Sequence, residues 1–146
     1  MGKFDGILLC SDLDGTLLSS DRSISKENLE AIEYFKVKEF ACKSGEDLVR
    51  ISPALLDVLH SIRHHFGVPV TITSGYRTRA HNKKIGGAKK STHVYGIAAD
   101  IVVKGVSPSK VAAYAELLMP DYGGIGEYRT FVHIDVRQQK SRWKGQ

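Results

Sequence analysis

The order of helix and strand signals along the 146-residue chain predicts an α+β fold in which helices flank a small antiparallel sheet. Two Ser-Pro pairs, Ser52-Pro53 and Ser107-Pro108, are typical of helix starts, because proline is favoured in the first helical turn. Short β-branched and apolar runs lie between and after these helices. Together the signals give the order helix, strand, short helix, strand, helix and hairpin.

The first part of the chain predicts one strand followed by one helix. Ile7–Cys10 is a short apolar run, and Ser25 is a typical N-cap. The apolar positions after that cap recur at Leu29, Ile32 and Phe35. Beyond them, Phe35–Phe40 alternates apolar and basic residues, which predicts a short strand.

The next segment predicts a helix that begins after Ser52 and ends at a C-cap glycine, Gly67. Its inward stripe consists of Leu55, Leu56, Leu59, Ile62 and Phe66. The β-branched run Val68–Ile72 predicts a strand, and Arg79–Lys84 predicts a short helix.

The second half of the chain predicts a strand at Ala98–Val103 and a helix that begins after Ser107. Two short runs, Gly124–Tyr128 and Phe131–Val136, predict an antiparallel hairpin. The tail Gln138–Gln146 is basic and polar apart from Trp143, and we predict no element there.

Charge is unevenly distributed along the chain. Residues 1–36 carry 4 Lys/Arg and 7 Asp/Glu, a net −3, whereas residues 37–146 carry 17 and 9, a net +8. A basic body favours polyanionic partners, but no interleaved aromatic residues indicate specific nucleic-acid binding. No apolar run approaches the ~18 residues of a membrane span, and the N-terminal stretch is too short for a secretory signal peptide. We therefore expect a protein that is made in the cytoplasm and has no membrane span. We also expect it to be a monomer.

Three separated side chains form the sharpest chemical pattern. His93 and Asp100 are seven residues apart, and a turn at Gly96 would bring the imidazole and the carboxylate together. With His133 from a separate strand they form a common catalytic zinc ligand set, which leaves the fourth position for water. Asp135 points the same way as His133, because residues two apart in a strand share a face. Spacing alone also allows ordinary structural roles for these side chains.

Five short segments extend this pattern in the order of a known family. They are Ser74–Arg77, His81-Asn82, Ile85–Ala88, Ser91–Asp100 and Phe131–Asp135. Through them, residues 37–144 resemble the zinc D-alanyl-D-alanine carboxypeptidase family, which includes phage and bacterial cell-wall L,D- and D,D-peptidases. The resemblance implies a fold like that of hedgehog proteins and D,D-peptidases.

The same resemblance implies specific roles at the site. It implies zinc ligands at His93, Asp100 and His133. Arg77 would lie in the cleft and bind the carbonyl or terminal carboxylate of the peptide, since its planar fork matches a carboxylate. Tyr76 and Ser91 would be further substrate contacts.

The general base is the point at which this chain departs from part of that family. Many members carry Glu or Asp three residues before the last zinc histidine, where this chain has Thr130. The branch that it resembles more closely has a carboxylate two residues after that histidine, which makes Asp135 the candidate base. Asp135 could instead orient His133 through its other ring nitrogen, and Glu127 is a further candidate base.

A second motif lies in the acidic N-terminal part. Asp12-Leu13-Asp14-Gly15-Thr16 resembles the first motif of haloacid-dehalogenase-like phosphatases, in which the first Asp is the nucleophile and the second is the general acid/base. Both would help to bind Mg²⁺. The later motifs of that family are missing, and about 36 residues cannot bury a core of their own. We therefore predict a phosphatase-like fragment at 1–36 and a zinc peptidase domain at 37–146.

The predicted function is that of a zinc metallopeptidase that hydrolyses peptidoglycan stem peptides or cross-links, as a D,D-carboxypeptidase or lysin-like endopeptidase. It would act at the cell wall, and phage-like release is one route there. One alternative is a Mg²⁺-dependent phosphatase that uses Asp12 and Asp14. The other is a non-catalytic zinc- or wall-binding module. Which peptide bond is cut stays open, because specificity depends on the shape of the cleft.

Overall fold

The computed structural model describes residues 7–9, 40, 42–43 and 49–145, with the backbone alone at 7–9, 49 and 50. Within residues 7–9 and 49–145 the chain forms seven strands, three α-helices and one short 3-10 helix. In chain order the elements are β1 (Ile7–Leu9), β2 (Val49–Ile51), α1 (Pro53–Phe66), β3 (Val70–Ser74), α2 (Arg79–Lys84), the 3-10 helix (Thr92–Tyr95), β4 (Ala98–Val103), α3 (Pro108–Leu118), β5 (Gly124–Glu127), β6 (Val132–Asp135) and β7 (Ser141–Lys144).

Five strands form the main sheet, in the order β3-β4-β6-β5-β7. The first three pairs are antiparallel, and β7 is a parallel edge strand on β5. β1 and β2 form a separate two-stranded parallel sheet, with Ile7 opposite Val49. The predicted α+β class is confirmed, whereas the predicted antiparallel sheet is corrected to a mixed one.

The two long helices begin where the sequence predicts. Ser52 and Ser107 have extended backbone, and a proline opens the helix after each of them. α1 ends at Gly67, which adopts φ 63° and donates its N–H to the carbonyl of Arg63. Among the described helices, none is long and apolar enough to cross a membrane.

The hydrophobic core lies between these two helices and one face of the sheet. Its buried members include Leu55, Leu59 and Ile62 of α1, Val111 and Ala115 of α3, and Ile101, Val132 and Ile134 of the sheet. Each large aliphatic side chain buried in this way stabilises the fold by about 1.5–3 kcal/mol. The opposite face of the sheet is therefore free to carry polar side chains.

Some predicted elements are shifted or lie outside the described residues. The strand predicted at Val68–Ile72 is observed two residues later, as β3 (Val70–Ser74), because Pro69 has no N–H for a ladder hydrogen bond. In the predicted strand Phe35–Phe40, Phe40 is helical and the other positions lie outside the described residues. The predicted helix after Ser25, and Cys10 at the end of the first strand, lie outside them as well.

Strands β2 and β7 were not predicted. β7 lies in the polar tail, and its residues show no clear alternation of apolar and polar side chains. It is held by pairing with β5 and by Arg142, whose guanidinium donates to the carbonyls of Met119 and Gly123. These contacts are distant in sequence, so a local pattern does not indicate them.

Candidate metal centre

One row of register partners crosses all five strands of the main sheet. Asp100 of β4 stands opposite Ser74 of β3 and His133 of β6. Beyond His133 the row continues through Gly126 of β5 to Trp143 of β7. Because successive strand residues alternate between faces, this row lies on the face opposite the core. The sheet itself therefore sets a carboxylate beside an imidazole.

His93 lies beside this row and comes from the 3-10 helix that precedes β4. Gly96 ends that helix with φ 71° and turns the chain into β4, so the predicted turn is confirmed. The imidazole Nδ1 lies 2.7 Å from the carbonyl oxygen of Gly75, which leaves Nε2 facing the sheet. Gly75 is required at this point, since a Cβ there would lie 2.6 Å from the backbone of Phe40.

Three ligand-type atoms converge above the sheet. His93 Nε2 and His133 Nδ1 lie 3.3 Å and 2.8 Å from Oδ1 of Asp100, and 3.3 Å from each other. Each of the three residues is at most 8% exposed. In the part of the chain that the structure describes, no other group of three His, Cys, Asp or Glu side chains could hold a metal ion. Two imidazoles and a carboxylate fit zinc with one position left open.

Asp135 stands behind His133, on the far side of the ring from the converging atoms. Its Oδ2 lies 2.9 Å from His133 Nε2, and its side chain has no exposed surface. The Gly124 N–H donates to Oδ1 at 3.1 Å, and the Arg137 guanidinium donates to both oxygens, at 2.7 and 2.5 Å. The second nitrogen of each imidazole thus faces an acceptor, an arrangement that suits a neutral ring whose converging nitrogen offers its lone pair to a metal.

Opposite charges in the site shift the pKa values of its members. Burial raises the pKa of Asp100, but hydrogen bonds from His133 and His93 outweigh burial and hold this pKa well below its usual value. Burial lowers the pKa of His133, but hydrogen bonds to Asp100 and Asp135 outweigh burial and raise it. Without metal, the site therefore favours a protonated imidazole between two carboxylates.

These shifts predict how the stability of the chelator-treated protein depends on pH. The pKa of His133 is raised, so its contribution is complete below the ordinary value of 6.5 and is lost as the pH rises through the folded-state pKa. The pKa of Asp100 is lowered, so its contribution is present above the ordinary value of 3.8 and is lost as the pH falls. We expect the free energy of unfolding to be highest between these two values, with slopes of at most about 1.4 kcal/mol per pH unit for each proton.

Urea denaturation at stepped pH, with chelator present, measures this profile. His133→Gln should remove the decline above pH 6.5 and keep part of the acid decline. An unchanged alkaline decline in that variant would show that another group is responsible.

The converging atoms lie in a cleft of about 430 Å³. Its described lining includes Arg77, Lys90, Ser91, Thr92, Tyr128, Phe131, Arg137 and Trp143. Three of these side chains are cationic, and Asp100 is the one carboxylate among the described lining residues. A cleft of this charge suits an anionic ligand.

The predicted substrate contacts are only partly brought together. Arg77 lines the cleft and donates to Ser74 Oγ at 2.8 Å and to Asp100 Oδ2 at 3.1 Å. Ser91 lines the cleft as well. Tyr76 instead packs against the hydrophobic core and is absent from the described cleft lining.

Glu127 lies away from the converging atoms. It pairs with Val132 rather than with His133, which places it on the opposite face of the sheet. It lines a separate cavity of about 460 Å³, and its carboxylate lies 3.6 Å from Lys144 Nζ. The phosphatase-type residues, Asp12 and Asp14, lie outside the described residues.

Comparison with known proteins identifies the family. Residues 33–135 match the sequence model of the family described as Peptidase M15. The chain belongs to this family. Membership confirms the resemblance to zinc carboxypeptidases and cell-wall peptidases that the motifs indicate. Residues 9–43 separately match the model of a haloacid dehalogenase-like hydrolase, so this part of the chain is similar to that class.

Several curated proteins are similar to this M15 chain. It is 32% identical over 124 residues to the peptidoglycan L,D-endopeptidase MepK of Escherichia coli, and the aligned region covers 79% of this chain and 65% of that protein. It is 32% identical over 113 residues to the probable MepK of Haemophilus influenzae, covering 70% and 59%. It is 35% identical over 77 residues to the zinc D-Ala-D-Ala carboxypeptidase of Streptomyces albus G, covering 48% and 30%. The chain thus spans less than two thirds of the length of each of these relatives.

Two glycines of β5 shape this M15 site, and sequence reasoning missed them. A Cβ at Gly124 would lie 2.2 Å from Asp135 Oδ2, and a Cβ at Gly126 would lie 2.4 Å from the Trp143 ring. The centre of the Trp143 ring lies 5.2 Å from the centre of the His133 imidazole. Because Gly126 has no side chain, the Trp143 ring can pack directly on β5 and so lie beside the site. The alternation Gly-Ile-Gly in a predicted strand was a readable signal, because both glycines share one face.

Proposed function

We propose that this chain is a zinc-dependent peptidase that hydrolyses peptide bonds in the stem peptides or cross-links of peptidoglycan, at the bacterial cell wall. The observation that carries the proposal is the convergence of two imidazole nitrogens and one carboxylate oxygen inside the cleft of an M15 chain. The printed names of the relatives, a peptidoglycan endopeptidase and a zinc carboxypeptidase, support the substrate class and the metal.

The residues at the cleft divide into metal ligands and substrate contacts. The proposed zinc ligands are His93, Asp100 and His133. Zinc at such a site lowers the pKa of a bound water towards ~7 and polarises a carbonyl group. Arg77 is the proposed partner of the peptide carbonyl or carboxylate, since its guanidinium stands at the cleft beside Asp100. Ser91 offers a hydroxyl at the same cleft.

Of the two roles open to Asp135, we assign that of orienting His133. A general base must reach the proton that it removes, directly or through one water. The Asp135 carboxylate has no exposed surface, and its oxygens are occupied by contacts to Arg137, Gly124, His133 and the Thr92 hydroxyl. This geometry supports a fixed anion behind the imidazole rather than a proton carrier in the cleft.

One observation favours a second candidate function. Apart from Asp100, the described cleft lining has no carboxylate that could act as general base. A non-catalytic zinc- or wall-binding module would share the cationic cleft and the metal ligands and would need no such group. The peptidase and the non-catalytic module therefore differ only in whether peptide bonds are hydrolysed.

The predicted division of the chain is kept in the proposal. The M15 match begins at residue 33 and the hydrolase-like match ends at residue 43, which supports a boundary near 36/37. Phosphatase activity of Asp12 and Asp14 is not proposed, because the match that carries them is too short to bury a core of its own.

The test combines metal analysis with hydrolysis of purified cell walls. We expect about one zinc per chain, loss of wall turbidity and release of soluble peptides, whose masses identify the bond that is cut. His93→Ala should lose both zinc and hydrolysis. His64→Ala, an exposed histidine of α1, should keep both. Zinc binding without cleavage of walls or stem peptides would favour the non-catalytic module.

A further inference from the structure

We infer that Arg137 is a positioning residue of the metal centre. It holds the Asp135 carboxylate in the one orientation that makes His133 present Nδ1, and not Nε2, to the metal. The inference depends on the part of the proposed function that places a metal ion among His93, Asp100 and His133.

The two nitrogens of His133 face different partners. Nδ1 lies with the other ligand atoms, 2.8 Å from Asp100 Oδ1, whereas Nε2 lies 2.9 Å from Asp135 Oδ2. The partner of one imidazole nitrogen decides which nitrogen carries the proton and which carries the lone pair. The Thr92 hydroxyl is farther from Nε2, at 3.5 Å. The carboxylate of Asp135 therefore decides which imidazole nitrogen would be the metal ligand.

The Arg137 guanidinium fixes the Asp135 carboxylate. Arg137 Nε donates to Oδ1 at 2.7 Å and Nη2 donates to Oδ2 at 2.5 Å, a two-point contact that sets both the position and the rotation of the group. The backbone N–H groups of Arg137 and Gly124 donate to Oδ1 as well, at 3.2 and 3.1 Å. A lysine ammonium is a point charge and cannot reproduce the fork.

Arg137 has a rival role that the test must separate. Its side chain is 36% exposed and lines the cleft, and its guanidinium carbon lies 5.8 Å from the centre of the Trp143 ring. It could therefore contact substrate directly. A substrate contact does not alter the affinity for the metal alone, whereas a residue that orients a ligand does.

The test measures metal binding in the absence of substrate. The zinc dissociation constant is obtained by competition with a chromophoric chelator, and the visible spectrum of the Co²⁺-loaded protein reports ligand geometry. We expect Arg137→Ala to weaken zinc binding by about 10–100-fold and to change the Co²⁺ spectrum. Arg137→Lys should restore the affinity only in part. Arg129→Ala removes an exposed arginine that is absent from the described cleft lining and should leave both readouts unchanged.

A double-mutant cycle isolates the step through Asp135. In the Asp135→Asn background, Arg137→Ala should cause no further loss of zinc affinity, because the carboxylate that it holds is gone. Independent losses would overturn the inference. So would a wild-type zinc affinity and Co²⁺ spectrum in Arg137→Ala, and a raised KM would then assign Arg137 to substrate binding. If Arg137→Ala does not fold, Arg137→Gln takes its place in the cycle.

The outcomes also separate this inference from the proposed function. A wild-type chain that binds no zinc overturns both. A wild-type chain that binds zinc but cleaves no peptidoglycan overturns the proposed activity alone, and the zinc affinities of the Arg137 variants then still decide the inference.

Discussion

Replacing Asp100 by Asn is expected to weaken zinc binding by more than about 100-fold and to reduce peptidoglycan hydrolysis to background. Loss of an outer partner of a ligand already costs about 10–100-fold in metal affinity or activity, and Asp100 is itself a proposed ligand. A neutral amide lacks the charge that matches the metal, and it leaves the Arg77 guanidinium without its ionic partner. Chelator competition measures the affinity, and peptide release from cell walls measures the activity.

The matched control is Asp121→Asn, the same substitution at an exposed aspartate in the loop before β5. It should keep the zinc content and activity of the wild type. Asp100→Asn should still unfold cooperatively when chelator is present, which would separate loss of the site from loss of the fold. Wild-type zinc affinity in Asp100→Asn would remove Asp100 from the ligand set and leave two histidines, too few for the proposed site.

The sequence could predict those relations in the site that lie within a single turn or a single strand. The interval between His93 and Asp100 contains one glycine, and Gly96 takes the left-handed backbone that such a turn needs. The two-residue spacing in β6 predicts that Asp135 shares a face with His133, and the two side chains are in hydrogen-bond contact. These relations depend only on the geometry of one strand or one turn.

Other parts of the site depend on register between strands, which a single sequence does not reveal. Trp143 reaches His133 because β7 pairs with β5, although the tail gave no strand signal. Glu127 looks like a candidate base until its pairing with Val132 places it on the other face. The role of Asp135 likewise depends on where the Arg137 side chain turns, and spacing does not determine that direction.

Gly124→Ala is expected to destabilise the protein by about 3–5 kcal/mol and to weaken zinc binding by about 10–100-fold. The added Cβ would lie within 3 Å of the Asp135 carboxyl carbon and of both its oxygens. That carboxylate is fully buried, so moving it breaks contacts to Arg137 and His133 and leaves charge unpaired in the interior. Urea denaturation and chelator competition measure the two effects.

Gly105→Ala is the matched control, because it separates backbone strain from contact with the site. Gly105 has φ 74° and no heavy atom within 4 Å of its missing Cβ, so alanine there costs about 1 kcal/mol in strain alone and should leave zinc affinity unchanged. A Gly124→Ala protein with the stability loss but wild-type zinc affinity would mean that Asp135 moves without disturbing His133. The carboxylate behind the imidazole would then serve the fold and not the metal.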